Sequence, residues 1–149
     1  MIYIASDHAG FELKKQILQH LKNTDQEVED CGPLLLDPAD DYPDFIIPCG
    51  QKVAQNPGSM GIILGRSGNG EAMAANKVKG VRAALYYGTH EEIIRLAREH
   101  NNANVLSLGA QFLTIDQVKR AIDLFIETKF EGGRHQRRIE KIAQQEIRS

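Results

Sequence analysis

Cysteine is scarce in this 149-residue chain: there are two, Cys31 and Cys49, far apart and in no CxxC pair. That spacing argues against a disulfide framework and suggests no zinc site. Long apolar runs are lacking too, since no segment approaches the ~20 residues that span a bilayer. The opening Met1-Ile2-Tyr3-Ile4-Ala5 reads straight into a strand, without the charged region and cleavable apolar stretch of a secretory leader. The expectation is a cytoplasmic protein with no membrane partner. No charge of one sign dominates either. A formal net charge of -2 exerts no general pull toward nucleic acid or acidic membranes. Only the tail is locally basic.

What is present fits a single domain over residues 1–149, within the usual size of roughly 100–150 residues. The 42% hydrophobic and 26% charged residues are ordinary for a globular protein. Short apolar runs at Ile2–Ala5, Gly61–Leu64, Val81–Tyr86 and Asn104–Leu108 read as strands. Being apolar almost throughout, they suit a parallel sheet covered on both faces. Gln26–Cys31 alternates polar and apolar, which predicts an edge strand.

Helical patterns fill the intervals. Leu13, Ile17, Leu18 and Leu21 form one apolar stripe, and Val118, Ala121, Ile122 and Phe125 another. Thr89-x-x-Glu92 and Thr114-x-x-Gln117 read as capping boxes. Further helices are expected after Pro43 and after Gly70. The repeated β-α pattern predicts an open parallel α/β sheet with right-handed crossovers. Beyond Gly132-Gly133 a tail helix carries Ile139, Ile142 and Ala143 on one face. It has no strand to cover, so it either folds back on its own sheet or reaches to a second subunit.

Ligands of such sheets bind beyond the carboxyl ends of the strands. The first strand is followed there by Ser6-Asp7-His8-Ala9-Gly10, and the third by Gly65-Arg66-Ser67-Gly68-Asn69-Gly70-Glu71. The glycine-rich loop has neither the Lys-Ser/Thr of a P-loop nor the dinucleotide glycine order. Two readings fit it: a cradle of backbone N–H groups for an anion, or a plain strand-to-helix turn. Glu71 is favoured in a first helical turn by the dipole alone. Beside a cluster of donors, it is also suited to taking a C–H proton while the enediolate oxygen is held. Asp7 could simply cap the first helix and His8 line a loop. His100-Asn101-Asn102 stands before the fifth strand, at the wrong end for the simple rule. It could serve the same site only by an unusual path or from a neighbouring subunit.

Four blocks together carry a resemblance over essentially the whole chain. They are Asp7–Gly10; Gly65–Glu71 running into Ala74-Ala75-Asn76-Lys77; His100-Asn101-Asn102; and Gly132-Gly133-Arg134-His135-Gln136-Arg137-Arg138. The sequence resembles the ribose-5-phosphate isomerase B family, which also includes galactose- and allose-6-phosphate isomerases. The resemblance implies a three-layer α/β/α, Rossmann-like sandwich with a five-stranded parallel sheet and a tail helix. It implies a cofactor-free, metal-free aldose–ketose isomerase of the pentose phosphate pathway that works through an enediolate. It also implies a homodimer at least, with shared active sites. Glu71 would move the proton and His100 would assist ring opening, with Asp7 nearby. Ser67, Gly68, Asn69 and Gly70 would hold the enediolate, Asn101 would bind substrate, and His8 would line the pocket. Arg134 and Arg138 would bind the phosphate, a task suited to guanidinium forks.

One branch of that family places a cysteine at the start of the glycine loop, and the other a glutamate at its end. Here Gly65 and Glu71 stand at those positions, so the chain resembles the glutamate branch. Two positions depart from the pattern. Arg66 replaces a usual glycine, and Gln111 replaces a frequent phosphate-binding arginine, so Arg66 becomes a candidate substrate-binding residue. Competing readings are an isomerase of a six-carbon sugar phosphate and a non-catalytic phosphate-binding module.

Overall fold

The computed structural model describes residues 1–148. Five strands alternate with helices along the chain: β1 Ile2–Ser6, β2 Val28–Asp30, β3 Met60–Gly65, β4 Ala83–Tyr86 and β5 Val105–Gly109. All pairings are parallel and the order is β2-β1-β3-β5-β4. The helices are α1 Phe11–Asn23, α2 Pro43–Gln55, α3 Asn69–Asn76, α4 Glu92–Asn101, α5 Ile115–Glu127 and α6 Arg134–Arg148. No helix among the described residues is long and apolar enough to cross a membrane.

Because strand side chains alternate faces, each central strand feeds two cores. Ile2 and Ile4 of β1, Ile62 and Leu64 of β3, and Leu106 and Leu108 of β5 join Ile17, Leu21, Ile94, Ile122 and Phe125 of α1, α4 and α5. Tyr3, Ala5, Ile63 and Val105 face the other way, against Ile46, Cys49, Val53 and Ala75 of α2 and α3. That double burial is why the strands read as continuous apolar runs, and it makes the three layers. Truncating a fully buried residue such as Ile62 to alanine would cost about 2–5 kcal/mol.

Three local readings change. β4 begins at Ala83 rather than Val81, and it is an edge strand whose Ala83, Ala84 and Leu85 are only half-buried. Thr89 does not cap α4: its φ is 73°, outside the extended region that a cap residue needs, and its hydroxyl bonds to Gly88 O. The Thr114 box forms as expected, with reciprocal bonds to Gln117. The residue immediately before α1 is Gly10 rather than Asp7, although Asp7 Oδ1 accepts the Gly10 N–H at 3.0 Å.

The tail folds back on its own chain. Glu131 N–H donates to Glu99 O, His135 and Ile139 are buried, and Glu146 accepts the Gly80 N–H near the far end of α6. Ile142 remains 61% exposed, so the apolar face of α6 is only partly covered.

Candidate active site

The strand order reverses between β1 and β3, and the two loops leaving their carboxyl ends lie side by side there. Asp7 N–H donates to Leu64 O at 3.3 Å, which ties the first loop to the third strand. From this edge the chain presents Asp7, His8, the turn Ser67–Gly70 and Glu71.

Gly68 takes φ 81°, a left-handed conformation that favours glycine, and this turns the chain from β3 into α3. Ser67 Oγ accepts the Asn69 N–H at 3.2 Å, and Ser107 Oγ donates to Gly68 O at 2.7 Å. The turn is thus held from beneath by β5. Tyr42, just ahead of α2, lays its ring and hydroxyl on Gly70, where a Cβ would meet them at 2.7 Å.

Glu71 is in the first turn of α3 and is 4% exposed. Its carboxyl lies against Gly65, the last residue of β3, in the space a side chain there would fill. Burial raises its pKa above the usual carboxylate value, and the negative charge of Asp7 adds to the rise. Such a group can both take up and return a proton, which suits acid–base work at carbon. His8, half exposed, bonds through Nδ1 to Asp40 Oδ1 at 2.6 Å, and that bond raises its pKa. Asp40 is held as well by the His8 N–H at 3.2 Å.

Arg66 and Gln111 touch each other. Arg66 Nε donates to Gln111 Oε1, and the Gln111 N–H donates to Arg66 O at 3.1 Å. The two departures from the family pattern are therefore one contact, at the same edge of the sheet.

His100, Asn101, Arg134 and Arg138 lie elsewhere. His100 is the penultimate residue of α4 and stacks on His135 of α6, with centroids 4.2 Å apart and planes at 13°. Burial lowers the His135 pKa, and the charges of His100, Arg134 and Arg138 lower it further, which puts all four groups at one locus. Asn101 lines a groove with Ile142 and the edge strand. The link after α4 enters β5 opposite Gly61, four residues before Gly65. At about 3.3 Å per residue, the two loci stand roughly 13 Å apart along the strands. One chain does not bring Glu71 and His100 together, as the position of His100 before its strand already implied.

Chains with this architecture and these motifs are known. Residues 2–142 match the family model described as Ribose/Galactose Isomerase. This chain belongs to the ribose/galactose isomerase family. Ribose-5-phosphate isomerase B of Mycobacterium tuberculosis is 46% identical over 146 residues, covering 97% of this chain and 89% of the mycobacterial one. Ribose-5-phosphate isomerase B of Mycoplasma genitalium, in a crystal structure with bound ribulose 5-phosphate, superposes with a TM-score of 0.94 at 48% identity. The alignment covers 99% of this chain and 97% of that one. The Thermotoga maritima enzyme gives a TM-score of 0.89 at 42% identity, covering 96% and 97%. The five-stranded parallel sandwich is thus the fold of this isomerase family.

Four residues that the sequence left unassigned belong to these loci: Asp40, Tyr42, Gln111 and His135. Asp40 and Tyr42 carried a usable signal, because they follow β2 and so leave the sheet at its carboxyl edge. The contact of Gln111 with Arg66 spans 45 residues and carried none.

Proposed function

We propose that this family member is a cytoplasmic, cofactor-free aldose–ketose isomerase that interconverts ribose 5-phosphate and ribulose 5-phosphate. The observation that carries the reading is the buried carboxyl of Glu71 beside the donor-rich turn Ser67–Gly70. The Glu71 carboxylate takes the proton from C2 of the open aldose, and the electrons of that bond move to the C1 oxygen. The enediolate is held by the Ser67–Gly70 turn. Glu71 then returns the proton to C1, while the C2 hydroxyl gives up its proton and the C1 oxygen gains one, so that C2 becomes the ketose carbonyl and C1 a hydroxymethyl group. His100 assists ring opening, Asn101 binds the sugar, and Arg134 and Arg138 hold the phosphate. Asp7 and His8 line the pocket, and Arg66 adds a cation at its rim. The ribulose 5-phosphate bound by the mycoplasmal relative supports a five-carbon substrate.

The roughly 13 Å between the loci supports a homodimer at least, in which Glu71 of one subunit works with His100 and the tail arginines of another. Side-by-side assays of ribose, allose and galactose phosphates test the substrate, with the highest kcat/KM expected on ribose 5-phosphate. A six-carbon preference would overturn the pentose assignment, and no turnover on any sugar would leave a phosphate-binding module. Light scattering at assay concentration tests the shared site, which a fully active monomer would refute.

A further inference from the structure

One compact group of side chains carries the donors of a transition-metal site. Glu131 precedes the glycine break, His135 lies in the first turn of α6, and His100 is near the end of α4. One ligating atom from each lies within 4.8 Å of the other two. His135 is 5% exposed, and its buried Nε2 has no hydrogen-bond partner among the described residues. The Glu131 carboxylate is 3.4 Å from it, beyond good hydrogen-bonding range. A buried polar atom left in that state calls for an explanation, and a bound ion is one of those expected.

We propose that His100, His135 and Glu131 form a binding site for a late first-row divalent ion, above all Zn²⁺, and that filling it reversibly switches turnover off. Two imidazoles and a carboxylate are a ligand set suited to zinc, with a fourth position left open. Bonds of about 2.0–2.1 Å in a tetrahedron bring ligand atoms to roughly 3.4 Å from one another. The ligand atoms lie within 4.8 Å of one another, so closure is no more than about 1.4 Å. His135 is the fixed post, being buried. Glu131 has a half-exposed side chain, and its N–H is anchored to Glu99 O, so it closes by rotation alone. Near-parallel rings 4.2 Å apart aim their lone pairs along parallel planes, so His100 must turn out of the stack to share an ion with His135. A ring nitrogen engaged by the ion is then withheld from the sugar. The charges of Arg134 and Arg138 oppose a cation here, so binding is moderate and readily reversed by a chelator. Inhibition rests on the ring-opening role proposed for His100, whereas metal binding does not. The site escaped the sequence reading because its ligands come from separate elements and include no cysteine.

Titration with Co²⁺ in phosphate-free buffer reads binding without reference to activity. The expected result is the visible absorption of tetrahedral cobalt, bleached by Zn²⁺, with Zn²⁺ inhibition of turnover reversed by EDTA. Glu131 has no part in the proposed chemistry, so Glu131→Gln keeps basal turnover. It should weaken cobalt binding and zinc inhibition together by at least ~10-fold, since even loss of a supporting partner costs about 10–100-fold. No cobalt signal in the unaltered protein, or equal metal response in Glu131→Gln, overturns the site. Glu131-dependent binding with zinc-insensitive turnover overturns the switch. Absence of turnover on every sugar phosphate sinks the isomerase reading, and the cobalt titration still decides the metal site.

Discussion

Gly65→Ala puts one methyl group where Glu71 keeps its carboxyl. A Cβ built on Gly65 meets both oxygens and the carboxyl carbon well inside the 3.0 Å that real Cβ atoms keep from their neighbours. Gly65 lies in β3 with no left-handed φ, so alanine suits its backbone. The obstructing atoms are the far end of a side chain, so the carboxyl yields and the strand does not. Alanine for glycine at a compatible position adds about 0.4–1 kcal/mol through the unfolded chain. Overpacking takes away about 1–3 kcal/mol, less where the obstacle can rotate away. The two nearly offset, and the melting temperature should move by no more than about 4 °C. Catalysis responds differently. Displacing a base by about 1 Å can cost 10²-fold, and losing it costs about 10²–10⁴-fold. We therefore expect kcat to fall by at least ~10²-fold with KM little changed. Released into water, Glu71 also loses the burial that raises its pKa, so the acid limb of the remaining activity should shift to lower pH. Steady-state kinetics across pH, with circular dichroism as a check on folding, measures all of this. Near-normal turnover in a folded Gly65→Ala protein would refute the inward carboxyl as the working base.

Glu71→Gln should fold and lose at least ~10²-fold in kcat. Because burial raises the Glu71 pKa, its contribution to stability is intact below the ordinary carboxylate pKa and is lost as pH rises through the folded value. The glutamine variant should therefore gain stability relative to the parent as pH rises through that window, and parallel melting curves across pH would contradict the burial argument. His100→Asn should impair a cyclising aldose phosphate more than ribulose 5-phosphate, judged from initial rates in both directions with product trapping; equal losses remove the ring-opening role. Arg66→Gly should weaken substrate binding markedly alone and much less after Gln111→Arg, since two guanidinium groups then compete for one place. Directly bonded residues typically couple by about 0.5–3 kcal/mol in such a cycle, so simple additivity would show that the Arg66–Gln111 contact does not serve the substrate.

Local pattern carried most of the architecture. Five apolar or alternating runs gave the five strands, Gln26–Cys31 was legible as an edge, and Thr114-x-x-Gln117 marked the start of α5. The failures were local signals overruled by their surroundings. Thr89-x-x-Glu92 has the spacing of a capping box, but the turn after β4 forces Thr89 to positive φ. Val81–Tyr86 reads as a buried strand, yet its Ala83–Leu85 stretch is an only half-buried edge, because no periodicity states which strand comes last in a sheet.

The same division runs through the site. By itself the sequence determined which residues could carry the chemistry: a glutamate closing a glycine-rich loop, Asp7 and His8 after the first strand, His100 before the fifth, and paired arginines in a basic tail. These are properties of spacing and turn chemistry, and they act over a few residues. Only the tertiary structure decided that Glu71 is buried against the vacant side of Gly65, that Arg66 rests on Gln111, and that the tail folds back to stack His135 on His100. It also set the distance between Glu71 and His100, whose places at opposite ends of the sheet were already legible from the position of His100 before its strand. Those facts follow from strand order and crossover direction, which are set by the burial of both sheet faces and by contacts between residues far apart in the chain.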